Sequence, residues 1–183
     1  MKIKYDSQQP FQIQAINAIA DIFEGQPYDS ESFISKLTAR DNDAKLFSYE
    51  LGAVGNNLLL GDDAILENLR SIQNTNGLPV SDELDGMNFT VEMETGTGKT
   101  YVYLRTIFEL AKRYSFTKFV ILVPSVPIKE GVKTSIESMR EHFMQQYALP
   151  FDVAVYDGKS PETVQSFVTS TNIQIMIMTI QGI

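Results

Sequence analysis

The stretch from Asn88 to Tyr114, NFTVEMETGTGKTYVYLRTIFELAKRY, narrows what this chain can fold into more than any other. Phe89 to Met93 is a short apolar run with aromatic and β-branched residues, which predicts a strand. Glu94-Thr95-Gly96-Thr97-Gly98-Lys99-Thr100 follows at once. Beyond it, Leu104, Ile107, Phe108, Ala111 and Tyr114 recur at i, i+3, i+4, i+7 and i+10, so the spacing predicts a helix over 99–114 with one stripe facing a core. Strand, glycine turn, Lys-Thr and amphipathic helix, in that order, are the parts of a phosphate cradle.

Each part has a physical task. Gly96 and Gly98 can take positive φ and carry no Cβ, which lets successive backbone N–H groups curl around an anion. Lys99 adds a full charge, and a helix beginning beside it adds roughly half a positive charge at its N-terminus. Thr100 offers a hydroxyl to a phosphate-bound Mg²⁺. The cofactor-binding candidates are therefore Glu94, Thr95, Gly96, Thr97, Gly98, Lys99, Thr100 and Tyr101, with Lys99 and Thr100 as the catalytic pair and Thr100 as the metal ligand. The general pattern puts a further glycine at position 93, where this chain has Met93. Carboxylates aimed at a phosphate would repel it, so Glu92 and Glu94 are expected to face solvent.

A length of 183 residues suits one domain with an appended segment. No apolar run has the length of a membrane span, and MKIKYDSQQPFQ lacks the apolar stretch of a signal peptide, so a cytoplasmic location is expected. Zero cysteines exclude disulfides and thiolate metal sites, and the single His142 lies in a charged helical stretch and reads as a surface residue. The net charge of −8 is unevenly placed: residues 1–87 hold 6 Lys and Arg against 14 Asp and Glu, whereas residues 88–183 hold 9 of each. A neutral second half can still present a local basic strip, so total charge neither supports nor excludes a nucleic-acid partner.

Taken in order, Gln8-Gln9-Pro10-Phe11-Gln12 opens an apolar stripe at Phe11, Ala15, Ile19 and Ile22 or Phe23, which predicts a helix from about 10 to 24. Gly25 and Pro27 stop it. Asp29 or Ser30 can cap a short helix to about Ala39, and Asp62 or Asp63 another carrying Ile65, Leu69 and Ile72, ended by Asn76-Gly77. The region 1–87 thus reads as an N-terminal helix and an irregular acidic insertion. From Phe89 onward strand-like runs fall at 89–93, 119–123, 152–156 and 173–179, with helical patterns at 99–114, about 128–147 and about 161–170. This alternation implies βαβ crossovers and a mostly parallel sheet buried on both faces, a three-layer α/β/α fold. Ligands of such sheets bind beyond the carboxyl ends of the strands.

METGTGKT (Met93 to Thr100), with YLRTIFEL close behind and then FTKFVILVPSVPIKEGV, resembles superfamily 2 helicase-like ATPases of the DEAD/DEAH type. It is most similar to the N-terminal motor region of type III restriction enzyme Res subunits, where the position of Met93 is often not glycine. The resemblance covers 88–183 and the short QPFQ, but not 25–87. It implies a RecA-like P-loop lobe, incomplete here, with ATP and Mg as cofactors. It also implies duplex DNA and a modification methyltransferase subunit as partners. By the same resemblance Gln12 reads adenine, since a carboxamide can donate to and accept from its N6/N7 edge. Ser125 and Lys129, within PSVPIK, are placed on a nucleic-acid backbone, and Thr179 at a further strand-end contact.

The resemblance also implies groups that do not occur in these residues. No Asp-Glu pair follows an apolar strand: Asp157 ends DVAVYD but precedes Gly158, and Asp82-Glu83 comes before the cradle. The family's acidic motif would come after Ile183, as would a second lobe with its arginine finger and a nuclease domain. The chain therefore reads as a fragment, one that binds nucleotide or DNA without turnover of its own and leaves an apolar sheet edge uncovered after 173–179. A P-loop kinase would need an acceptor pocket and further arginines after the cradle, which cannot be located. A GTPase switch would need Asn-Lys-x-Asp, which is absent.

Overall fold

The computed structural model describes residues 5–28, 55–158 and 160–182, so the helix expected from Asp29 or Ser30 to Ala39 lies outside the described residues. Two compact groupings divide the chain: 1–27 with 58–110, and 28–57 with 111–183. The division falls within one helix.

In the first grouping α1 spans Pro10–Ala20 and runs on as a 3-10 turn at Asp21–Phe23. Pro10 opens it because a first-turn residue has no helical acceptor for its N–H. Its buried face is Ile16 and Ala20 with Ile22 beyond, not the expected stripe, for Phe11 is 46% exposed. Its 3-10 extension packs on α2, Asp62–Thr75, whose Ile65 is fully buried. Asn68 Nδ2 fastens the two by donating to the carbonyls of Ile22 at 3.0 Å and Glu24 at 2.9 Å. Gly61, not an aspartate, is the N-cap of α2; Asp62 and Asp63 sit in its first turn, where negative charge still complements the helix dipole. Asn76 and Gly77, the latter at φ +65°, end it as expected.

The third helix, α3, is Lys99–Tyr114. Its stripe of Leu104, Ile107, Phe108, Ala111 and Tyr114 is buried throughout, as the spacing predicts. Burying each of the larger side chains is worth about 1.5–3 kcal/mol. Residues 89–93, expected as a strand, form no regular element, and Val91 is 39% exposed. A strand exists only when a neighbour completes its ladder, and among the described residues the only ladders are those that join the central strand of a three-stranded sheet to its two neighbours.

Those strands belong to the second grouping: β1 (Lys118–Val123), β2 (Phe151–Val155) and β3 (Ile173–Thr179). All pairings are parallel in the order β1-β3-β2, with Val123 opposite Thr179 and Val155 opposite Ile177. Helix α4, Val126–Tyr147, joins β1 to β2, and α5, Pro161–Thr169, joins β2 to β3. The inward side of α4 is Val132, Ile136, Met139 and Phe143, all buried, while Ile128 is 48% exposed. His142 is half-buried with its ring edge-on to Phe143, not fully on the surface.

Two sheet expectations are corrected. The last strand, β3, is central and so not an open edge; the edges are β1 and β2. Burial on both faces holds for β3, whereas Val120 and Leu122 expose one face of β1. Near its start the outer side of β1 is closed by Asn56, whose Oδ1 accepts the N–H of Thr117 and Lys118 and whose Nδ2 donates to the Lys118 carbonyl. A side-chain amide there stands in for a neighbouring strand's peptide group.

Burial pulls the Lys118 ammonium down to about 8 from its ordinary 10.5, although Nζ donates to the Ser170 carbonyl and lies over the Phe167 ring. The folded state therefore holds fewer protons than the unfolded chain between about pH 8 and 10.5, so stability rises with pH across that window. Urea midpoints at the two ends are expected to rise for the native chain and to lose that rise in Lys118→Met.

Candidate functional site

The glycine-rich loop, and the helix behind it as far as Leu110, lie in the first grouping. Gly96 and Gly98 take φ of +83° and +86°, a region that costs a residue with a Cβ roughly 1–2 kcal/mol. The α3 helix begins at Lys99, and the Val102 N–H donates to the Gly98 carbonyl at 3.0 Å. A helix start leaves its first N–H groups without intrahelical acceptors, which equips this loop end to receive an anion. Thr97 Oγ1 donates to the Glu94 carbonyl at 2.7 Å and shapes the turn. Lys99 Nζ reaches back over the loop, donating to the carbonyls of Met93 at 2.8 Å and Glu94 at 2.9 Å. Glu92, Glu94 and Thr95 face solvent.

Gln12, far away in sequence, arrives at the same loop. Its Nε2 donates to the Thr97 carbonyl at 2.9 Å. A Cβ at Gly98 would stand 2.7 Å from that nitrogen, so a side chain there would be strained by φ and would also push the Gln12 amide from its place. Thr100 is half-buried in the first turn of α3. Burial pushes the nearby Tyr103 phenol up, while the Thr100 hydroxyl beside it acts the other way. The arrangement fits a nucleotide with its metal: N–H groups and an ammonium for phosphates, a hydroxyl for a cation, and no Cβ to block approach. A groove of about 890 Å³ opens alongside, lined among others by Phe11, Ala15, Ile19, Phe89, Met93 and Thr97, a size usual for small-molecule sites. A polar cavity of about 310 Å³ between α1 and α2 includes none of the loop residues.

Tyr101 is buried, and its ring lies parallel to that of Tyr5, with centroids 6.1 Å apart. One turn on, Arg105 Nη1 donates to the Ser7 carbonyl at 2.6 Å. Neither contact was anticipated. The only signal available was the i, i+4 spacing that puts Tyr101 and Arg105 on one helix face.

In the second grouping, Ser125 is the N-cap of α4, extended at φ −152°, and its carbonyl accepts the Lys129 N–H at 3.0 Å. Lys129 therefore lies in the first turn. Thr179 ends β3 in register with Val123, so Ser125, Lys129 and Thr179 gather at the carboxyl end of the sheet. Thr179, however, is buried, while Ile180 and Gln181 after it are exposed.

Comparison with known proteins extends to almost the whole chain. A family model described as type III restriction enzyme, res subunit, matches residues 7–183, including the acidic segment that the motif resemblance left out. The Type III restriction-modification enzyme EcoPI Res subunit of Escherichia phage P1 is 35% identical over 130 residues, 63% of this chain and 13% of that protein. The EcoP15I Res subunit of Escherichia coli is 28% identical over 179 residues, 89% of this chain and 17% of that protein. The StyLTI Res subunit of Salmonella typhimurium is 52% identical over 65 residues, 34% of this chain and 7% of that protein. The chain thus spans less than a fifth of the length of these relatives.

Proposed function

Because the chain belongs to the type III restriction enzyme Res subunit family, we propose that it forms the nucleotide-binding first part of an ATP-driven motor. That motor translocates on duplex DNA within a restriction endonuclease. Residues 88–183 make up the first part of a RecA-like lobe, and residues 1–87 the N-terminal helix and acidic insertion. The observation that carries this reading is the docking of Gln12 on Thr97, which brings a carboxamide to the rim of a glycine loop built for phosphates.

In this reading the loop from Glu94 to Gly98, the amides up to Tyr101 and the Lys99 ammonium hold the phosphates of ATP. The Thr100 hydroxyl holds Mg²⁺, which when bound neutralises charge on the triphosphate. Gln12 reads adenine, and the groove beside it offers apolar walls for the base. Ser125 and Lys129, at the start of α4, take a DNA phosphate. Thr179 supplies the strand end from which Ile180 and Gln181 extend toward the same backbone. The partner is the modification methyltransferase subunit of the same system, and the location is the cytoplasm. No helix among the described residues is long and apolar enough to cross a membrane.

Gln12→Ala tests the reading. Removing the carboxamide is expected to reduce the preference for ATP over GTP about threefold to tenfold, as one or two lost hydrogen bonds would, with triphosphate affinity otherwise kept. Competition binding that gives an unchanged ratio returns Gln12 to a purely structural role.

A further inference from the structure

The segment that carries Gln12 is fixed to α3 at points outside the nucleotide loop. Arg105 Nη1 donates to the Ser7 carbonyl at 2.6 Å, a charge-assisted bond to backbone five residues before Gln12. The Tyr5 ring lies parallel to that of Tyr101, at an interplanar angle of 8°. Asp6 stiffens the same segment, its carboxylate accepting the Gln8 N–H at 2.9 Å and the Gln9 side-chain amide at 2.6 Å. The Gln9 carbonyl then accepts the N–H of Gln12 and of Ile13, which starts α1. Arg105 also lies against the Tyr101 hydroxyl, so guanidinium, phenol and the Tyr5–Ser7 backbone form one cluster.

Geometry makes this cluster a lever on Gln12. Ser7 is close to Gln12 along the chain, and the intervening residues are tied down by Asp6 and the first turn of α1. Tyr101 and Arg105 belong to the helix whose N-terminus carries the loop. A single rigid element, α3, thereby fixes both the phosphate loop and the approach of the carboxamide that meets it at Thr97. Without the Arg105 bond, the segment ahead of Pro10 loses its charge-assisted tie to α3, and the Gln12 amide its fixed distance to the loop.

We propose that Arg105 is a positioning residue for base selection: through the Ser7 carbonyl it holds Gln12 in register with the glycine loop, with Tyr5 and Tyr101 as the supporting pair. This rests on Gln12 reading adenine. Arg105 touches no nucleotide, so its loss is expected to change which base is preferred more than how tightly phosphates are held.

The test is competition binding of ATP against GTP to the chain carrying Gln12→Ala, Arg105→Ala, both together, Arg105→Lys or Tyr5→Ala. Inorganic triphosphate serves as the base-free probe. Arg105→Ala is expected to cut the ATP-over-GTP ratio about threefold to tenfold, with triphosphate affinity within about twofold of the parent. The double variant is expected to match Gln12→Ala within about twofold, the non-additivity of two residues acting through one contact. Arg105→Lys, which keeps a charged donor for the Ser7 carbonyl, is expected to recover part of the ratio. Tyr5→Ala, outside every helix, lowers it in the same direction without threatening the fold. A changed ratio in Gln12→Ala with none in Arg105→Ala or Tyr5→Ala overturns the positioning role and leaves the adenine reading standing. No change in Gln12→Ala overturns both. Additive losses in the double variant overturn the route through Gln12.

Discussion

A polypeptide of these 183 residues is expected to hydrolyse ATP no faster with duplex DNA present than without it. Phosphoryl transfer to water requires a positioned nucleophile, a metal held by a carboxylate and stabilisation of the developing charge, the arginine contribution alone being worth about 10³–10⁵ in rate. The glycine loop supplies N–H groups, an ammonium and one hydroxyl. No Asp-Glu pair follows an apolar strand here, and the acid nearest to that pattern, Asp157, lies just past β2 on an outer strand of the sheet. Phosphate release measured with and without duplex DNA is expected to differ by less than about twofold, whereas a chain extended through both motor lobes is expected to show the full arginine-dependent acceleration. Robust DNA-dependent release from the 183 residues alone would reassign the metal-holding carboxylate to Asp157.

Lys99→Ala is expected to weaken ATP and ADP binding about tenfold to a hundredfold, since a charge-assisted contact of this kind is worth about 1.5–3 kcal/mol. The ammonium is already held over the loop by the carbonyls of Met93 and Glu94, so its position is set before any phosphate arrives. Those bonds are exchanged on binding, and the measured loss is the difference between the two states. Lys99 is exposed and at the start of a long buried-face helix, so the variant is expected to fold. Calorimetric titration decides the matter: unchanged affinity in a folded variant removes Lys99 from the phosphate site and with it the nucleotide reading of the loop.

What the sequence by itself determined is local. The glycine loop, the span and inward stripe of α3, the core side of α4 and the three strands after Lys118 all follow from short-range spacing and from glycine and proline punctuation, forces that act within a few residues. Within the candidate site, Gly96, Gly98, Lys99 and Thr100 are legible as proposals because the chemistry expected of each belongs to its own place in the motif. Only the tertiary structure decided what depends on a partner from elsewhere in the chain. Residues 89–93 have strand propensity but no ladder neighbour among the described residues, and every ladder hydrogen bond of a strand needs a partner on another strand. Phe11 heads the stripe that the spacing places in the core, yet in the fold Phe11 is exposed and Ile16 and Ala20 are buried. The meeting of Gln12 with Thr97, the Arg105 bond to Ser7 and the Asn56 closure of β1 join residues 61 to 98 positions apart. Loop closure sets no sequence signature at such separations; the contact exists because the packed helices between its ends bring both groups to one place.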